Sequence, residues 1–169
     1  MMTNEERIKQ AVDNFMSGFN CSQSVVSAFA DEYGFTREQA LRMAASFGAG
    51  IGRMRLTCGA VCGMLMLAGL EHCALEGSDR KSKSENYALV RRLAAEFQRR
   101  NGSITCRELL GLRKAEHSAE ASERTPEYYA TRPCARMIES AARIWVDYKE
   151  GRLPEEDKDS FSPVQQTEK

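Results

Sequence analysis

Four of the six cysteines in this chain lie where the sequence predicts that a helix begins. Each directly follows a residue that caps or starts helices, in the pairs Asn20-Cys21, Thr57-Cys58, Thr105-Cys106 and Pro133-Cys134. The first turn of a helix has unpaired backbone N–H groups and the positive end of the helix dipole, and both favour thiolate over thiol. Thiolate attacks disulfides and binds metals, so the pattern predicts a redox or metal centre if the fold brings these cysteines together.

Cys58 is the strongest candidate for the reactive thiolate. It follows a glycine-rich connector, residues 48–55, whose alternate glycines permit close approach of the backbone. The connector also carries Arg53 and Arg55, whose positive charge can lower a thiol pKa, although solvated surface positions are the simpler interpretation of both arginines. We expect Cys58 to be the nucleophile and one of the other three cysteines to resolve it as a disulfide.

Cys62 and Cys73 are interpreted as structural residues. Cys62 lies one turn after Cys58, and Cys73 lies near the far end of the same predicted helix. Free cysteine is among the most buried residue types, so both are expected to behave as small hydrophobic side chains in a packed helix.

The composition narrows the classes of function. The chain has 24 basic and 24 acidic side chains, so net charge gives no argument for binding nucleic acid. The first ten residues have no apolar core of a signal peptide, and no stretch approaches about 18 uninterrupted apolar residues. We therefore expect a cytoplasmic protein without a membrane span, in a compartment where static structural disulfides are uncommon.

Helical periodicity dominates and predicts an all-α fold, a single bundle of about six to seven helices. The segment at about 57–73 is apolar on nearly all sides and is predicted to be the buried central helix. One domain is expected over residues 1–150, followed by a disordered polar tail over 151–169. The polar, alanine-rich segment 112–130 is predicted to be a partly ordered excursion able to lie over the site.

Capping signals set the expected helix starts. A capping box is predicted from Thr3 to Glu6, and Asn20 is expected to cap the second helix with Gln23 as its reciprocal partner. A further capping box is predicted from Thr105 to Glu108.

Several of these residues together resemble a known family. They are the run Gly50-Ile51-Gly52-Arg53, the box Cys58-Gly59-Ala60-Val61-Cys62-Gly63, the upstream Cys21, the run from Thr105 to Gly111, and Cys134. Over residues 5 to about 150 the chain resembles the C_GCAxxG_C_C family, whose members are described as redox-active. The resemblance implies a small all-helical prokaryotic protein with four hallmark cysteines, which map onto Cys21, Cys58, Cys106 and Cys134. Cys62 falls on a variable position of the box, and Cys73 lies outside the pattern.

Three functions are compatible with these observations. The first is a thiol-redox protein, a candidate thiol oxidoreductase, which needs no cofactor and exchanges electrons with a thiol or disulfide partner that is a protein or a small molecule. The second is a metal-binding protein in which the same four cysteines hold Zn²⁺ or an iron–sulfur cluster. The third is a helical interaction module switched by its thiols, with segment 112–130 as the moving part. A homodimer is compatible with all three.

Overall fold

A computed structural model describes residues 1–155 of the protein, and within this range the fold is all-α. The residues from 156 onward, which hold most of the predicted tail, lie outside the described residues. Eight helices are described: α1 (Asn4–Met16), α2 (Cys21–Phe29), α3 (Arg37–Ala44), α4 (Gly59–Glu71), α5 (Arg80–Asn101), α6 (Cys106–Leu109), α7 (Pro126–Thr131) and α8 (Cys134–Lys149). The helix that the sequence pattern misses is α7, which lies in the polar segment 112–130 and begins with proline.

The predicted central helix is present as α4 and is buried. Ala60, Val61, Met64 and Leu67 are each fully buried along its length. The helix packs against α2, α5 and α8, which in turn bury their own apolar faces on it. This arrangement places the start of α4, and with it Cys58, against the starts of neighbouring helices.

Gly63 allows α4 to lie close to α2. A Cβ atom at this position would lie 2.9 Å from the carbonyl oxygen of Ser22 and 2.9 Å from the Cβ of Val25. Backbone would have to move to admit it, so we expect Gly63→Ala to lower the free energy of unfolding by about 1–3 kcal/mol. Gly69 lies on the same helix with nothing within 4 Å of such an atom. Gly69→Ala is therefore expected to be neutral or to stabilise by up to about 1 kcal/mol. Equal urea midpoints for the two variants would contradict the close packing.

The packed core includes a residue that follows the last helix. Leu153 is buried in the main core, with 7% of its surface exposed. The guanidinium of Arg92 donates to the carbonyl oxygens of Leu153 and Pro154, each at 3.1 Å. Residues 151–155 are thus part of the packed structure, because an apolar side chain and two backbone acceptors follow the last helix.

Among residues 1–155, no helix combines the length and apolar content needed to cross a membrane.

Two of the predicted capping signals form as expected. Thr3 and Glu6 make a reciprocal capping box at α1, and Asn20 and Gln23 make one at α2. The second box fixes the backbone so that Cys21 is the first residue of α2. The capping predictions at α4 and α6 have a different outcome.

Candidate functional site

A short antiparallel backbone pairing joins the starts of α4 and α6. Thr57 pairs with Thr105 in an isolated bridge. Beside this pair, the amide N–H groups of Cys58 and Cys106 donate to carbonyl oxygens of the opposite segment, at 2.7 and 2.6 Å respectively. Side chains alternate between the two faces of an extended chain, so Cys58 and Cys106 leave the pairing on the same face. Two helix starts distant in sequence are thereby brought together.

The same pairing explains why two capping predictions are wrong. Thr57 is held in the bridge, and Cys58 itself is the N-cap residue of α4. The Thr105 hydroxyl makes no capping hydrogen bond to α6. Glu108 instead accepts a hydrogen bond from the Ser103 hydroxyl, whose oxygen accepts the Thr105 N–H at 2.9 Å. The backbone N–H of Thr105 thus finds its partner outside the predicted box.

The glycine-rich connector forms a left-handed turn. Positive φ angles are found at Ala49, Gly50, Ile51, Gly52, Arg53 and Arg55. A β-branched residue such as Ile51 rarely adopts this conformation, and strain of this kind is concentrated at functional sites. The turn returns on itself, with the Leu56 N–H donating to the Gly50 carbonyl oxygen at 2.9 Å. It presses Gly50 against Cys106 rather than against Cys58, since a Cβ at Gly50 would lie 2.6 Å from the Cβ of Cys106.

All four candidate cysteines border one cavity of about 50 Å³. They come from the starts of four helices, α2, α4, α6 and α8, and are Cys21, Cys58, Cys106 and Cys134. All are free thiols; Cys58 and Cys106 are buried, whereas Cys21 and Cys134 are partly exposed. The structure therefore brings together every cysteine that the sequence selects.

The two remaining cysteines lie outside this cavity. Cys62 is half-buried on α4, with its sulfur 3.8 Å from the Thr57 carbonyl oxygen, and burial raises its pKa to about 11. This environment fits a structural side chain. Cys73 is exposed in the loop after α4, so the prediction that it is buried is wrong. The reason is that α4 ends at Glu71, two residues before it.

Cys21 and Cys134 form an interacting pair of thiols at the cavity wall. A hydrogen-bonding interaction with Cys134 raises the pKa of Cys21, and burial raises it further. The same interaction lowers the pKa of Cys134 to about 7, against the opposing effect of burial. The positive charges of Arg132, Arg124 and Arg55 lower it further. One thiolate is thus stabilised between the first residues of α2 and α8.

Cys58 has the opposite environment. Burial raises its pKa to about 12, even though the backbone N–H groups of Val61 and Ala60 point at its sulfur and favour the thiolate. A helix start lowers a thiol pKa only when desolvation does not outweigh it, and here desolvation is larger. The electrostatics favour Cys134 over Cys58 as the ionised thiol, whereas the sequence pattern favours Cys58 for that role.

Cys106 is paired with Arg55 rather than with a second thiol. The guanidinium of Arg55 donates to the Cys106 sulfur at 3.8 Å, which opposes the rise in pKa that burial causes. Arg55 also forms an ion pair with Glu116, a residue of segment 112–130, and Arg53 pairs with the same carboxylate. The connector arginines are therefore not solvated surface residues, the simpler interpretation of the sequence: they pair with this segment, and Arg55 acts on Cys106 and Cys134.

Segment 112–130 lies over the site, as the sequence predicts. Arg53 donates to the carbonyl oxygen of Ser118 at 3.1 Å and to the hydroxyl of Ser122 at 2.8 Å. Further along the segment, Arg124 and Tyr128 form part of the cavity wall. The segment is thus held by the connector on one side and closes the thiol cavity on the other.

Two arginines of the site are missed by the sequence reasoning. Arg124 and Arg132 both border the cavity, and the carbon of each guanidinium lies 4.7 Å from the centre of the Tyr128 ring. Arg132 has a local signal, because it stands two residues before Cys134. Arg124 has none, since its position depends on the path of the excursion.

The cysteines do not form a ligand set of the kind that holds a metal. Within the described range, no group of three or more His, Cys, Asp or Glu side chains is arranged to bind a metal ion. The geometry shows four thiols around one cavity, and the electrostatics couple two of them, Cys21 and Cys134.

The fold and the site define an all-helical thiol protein in which cysteines from four helix starts border one cavity. The chain belongs to the family described as "Putative redox-active protein (C_GCAxxG_C_C)", which matches residues 19–148 and so covers more than half of it. This confirms the resemblance drawn from the sequence. No curated protein and no solved structure matches the chain.

Proposed function

We propose that the protein carries out thiol–disulfide exchange, with Cys134 as the attacking thiolate and Cys21 as the resolving thiol. The placement of these two thiols on one cavity, where their interaction lowers the pKa of Cys134, carries this proposal. Both residues border the same small cavity, so their sulfurs can approach each other to form a bond, and a thiol with a pKa near 7 is close to the optimum for attack at neutral pH.

The reaction has two steps. The Cys134 thiolate attacks one sulfur of a disulfide RSSR, which breaks the S–S bond and releases RS⁻ as a mixed disulfide forms. Cys21 gives its proton to the departing thiolate, and its sulfur attacks the Cys134 sulfur and releases the second RS⁻. The products are a Cys21–Cys134 disulfide, one RSH and one RS⁻, so two electrons pass from the protein to RSSR. The reverse sequence makes the protein an oxidant.

Cys58 and Cys106 supply a second dithiol in this proposal. They leave the α4–α6 pairing on the same face and border the cavity that the first pair borders. Their raised pKa values keep them protonated while the first pair reacts. Exchange between the two pairs would reduce the Cys21–Cys134 disulfide and oxidise the second pair. Such chemistry suits a reducing compartment such as the cytoplasm, where thiols stay available, and requires no bound cofactor.

Mild oxidation tests the proposed pair. We expect reduced protein treated with 2-hydroxyethyl disulfide to lose two thiols first, and peptide mass mapping to find them as a Cys21–Cys134 disulfide. In Cys21→Ser the reaction is expected to stop at the mixed disulfide on Cys134, because the resolving thiol is gone. Cys73→Ser removes an exposed cysteine outside the cavity and is expected to behave as wild type.

Two results contradict the proposal. One is prior oxidation of any other cysteine pair in the wild type, with Cys21 and Cys134 left as thiols. The other is a stoichiometric metal ion or iron–sulfur chromophore in anaerobically purified protein that is lost in Cys134→Ser, which would support the metal-binding alternative.

A further inference from the structure

A wider cleft leads from the surface to the cysteine cavity. Its volume is about 380 Å³, and exposed residues such as Gly52, Ala119 and Ala121 form part of its wall. The cleft and the cavity share six bordering residues: Asn20, Ala49, Arg55, Arg124, Tyr128 and Arg132. The two spaces therefore adjoin, and together we call them the entrance, with the thiols bordering the smaller space.

The walls of this entrance carry one sign of charge. Arginine contributes four side chains to them, and no aspartate or glutamate borders either space. Glu116, which borders neither space, forms ion pairs with both Arg53 and Arg55. Arg124 and Arg132 form no ion pair with the described residues, so their charge is left for whatever enters the cleft.

Arg124 also carries an unsatisfied donor. Its Nη1 atom is buried and has no hydrogen-bond partner among the described residues. The rest of the guanidinium is held in place, because Nη2 donates to the Phe19 carbonyl oxygen at 3.3 Å and the group lies over the rings of Phe15 and Tyr128. Because the group is held in place and has no carboxylate partner among the described residues, an anionic group in the cleft would meet a preorganised guanidinium.

The dimensions of the entrance limit what can reach the thiols. A cleft of about 380 Å³ falls within the size range of small-molecule sites, whereas the inner cavity of about 50 Å³ has room for only a few non-hydrogen atoms. A ligand that fits both parts has a body in the cleft and a slender sulfur-bearing end in the cavity. Small thiols and their disulfides have this shape.

We propose that the substrate of the Cys21–Cys134 pair is an anionic low-molecular-weight disulfide, whose negative group binds Arg124 and Arg132. This inference rests on the proposed function and specifies its substrate. The anion holds the disulfide in the cleft with one sulfur facing Cys134. Attack by Cys134 then releases the outer half as RS⁻, and attack by Cys21 releases the inner half, with the electron and proton balance given above.

Three disulfides of different charge test the inference on the full chain. They are oxidised glutathione, which is anionic, 2-hydroxyethyl disulfide, which is neutral, and cystamine, which is cationic. The rate constant for forming the Cys21–Cys134 disulfide is measured with each and divided by the rate constant of the same disulfide with a free small thiol. We expect the normalised value for oxidised glutathione to exceed that for cystamine at least tenfold, and the ratio to fall as salt concentration rises.

Arg124→Gln and Arg132→Gln are expected to reduce this ratio about tenfold. Loss of either charge also raises the pKa of Cys134 and so lowers the fraction present as thiolate. That effect slows the reaction with all three disulfides equally and leaves the ratio unchanged. Arg99 is an exposed residue of α5 that borders neither space, so Arg99→Gln should keep the wild-type ratio. The ratio of the normalised rate constants for oxidised glutathione and cystamine is measured on the wild-type protein. This part of the test therefore remains valid even if a substitution prevents folding.

The possible failures are distinguishable. If the neutral disulfide oxidises Cys21 and Cys134 but the normalised ratio is one or less, the substrate inference is wrong and the proposed function stands. A ratio that survives both arginine substitutions in folded protein also overturns the inference. If no disulfide oxidises this pair, the proposed function fails and the substrate inference fails with it.

Discussion

Replacing Cys134 by serine is expected to remove the fast-reacting thiol of the cavity and the disulfide that it forms with Cys21. At pH 7 a thiol with a pKa of about 7 is half ionised, whereas Cys58, with a pKa of about 12, is almost entirely protonated. Even after allowing for the lower nucleophilicity of a less basic sulfur, we expect Cys134 to be alkylated by iodoacetamide at least about 100-fold faster than Cys58. Mass mapping of time-quenched samples measures both rates in one experiment.

The pH dependence of this alkylation has a defined direction. Because the thiolate reacts, the rate at Cys134 should rise with pH, reach half its maximum near pH 7 and level off above the pKa. The fast phase should be absent in Cys134→Ser at every pH. A Cys73→Ser background removes the exposed thiol that would otherwise react in parallel.

Substitutions at Cys21 separate its hydrogen bond from its redox role. Serine retains an O–H group able to donate to the Cys134 sulfur, so Cys21→Ser should keep a pKa near 7 while forming no disulfide. Alanine has no donor, and the midpoint in Cys21→Ala should move to higher pH, since the largest contribution that lowers the pKa of Cys134 is lost. Identical pH profiles for the two variants would show that the hydrogen bond is not the cause of the low pKa.

The sequence is sufficient to place the four cysteines at helix starts, but not to rank them. Local chemistry determines the starts at Cys21 and Cys134, through the Asn20–Gln23 capping box and the proline at position 133. Which of the four thiols ionises most readily depends on desolvation, and desolvation is set by packing across the whole bundle. Cys58 has a helix start in its favour, yet its burial reverses the effect.

The contacts between residues distant in sequence also cannot be predicted from local sequence patterns. The pairing of Thr57 with Thr105 joins residues 48 positions apart and has no strand-like signal on either side. The guanidinium of Arg124 reaches the cavity only because segment 112–130 folds back over it. The sequence does indicate that this segment could cover the site, since a polar excursion between packed helices must lie on the surface.

The glycine-rich connector provides the second large expected effect, through Gly50→Ala. Gly50 has a φ of 69°, and a Cβ atom there would lie 2.6 Å from the Cys106 Cβ and 2.7 Å from the Arg55 Cα. Two of the three nearest atoms belong to backbone, which cannot move aside by changing a rotamer. Strain in φ and the overlap together are expected to lower the free energy of unfolding by about 3 kcal/mol or more, measured by urea denaturation.

Gly52→Ala is the matched control, because it isolates the backbone strain from the steric overlap. Gly52 also has a positive φ, of 57°, but a Cβ atom there would have no neighbour within 4 Å, so about 1 kcal/mol of lost stability is expected. In Gly50→Ala the overlap with both Cys106 and Arg55 is expected to disturb their contact, so alkylation of Cys106 in native buffer should change in that variant alone. Equal losses of stability, with Cys106 unaffected in both, would mean that the connector does not hold α6 in place. The close contact at Gly50 links the glycine-rich run to the cysteine cavity: the run needs a residue without a side chain where Cys106 is pressed against the turn.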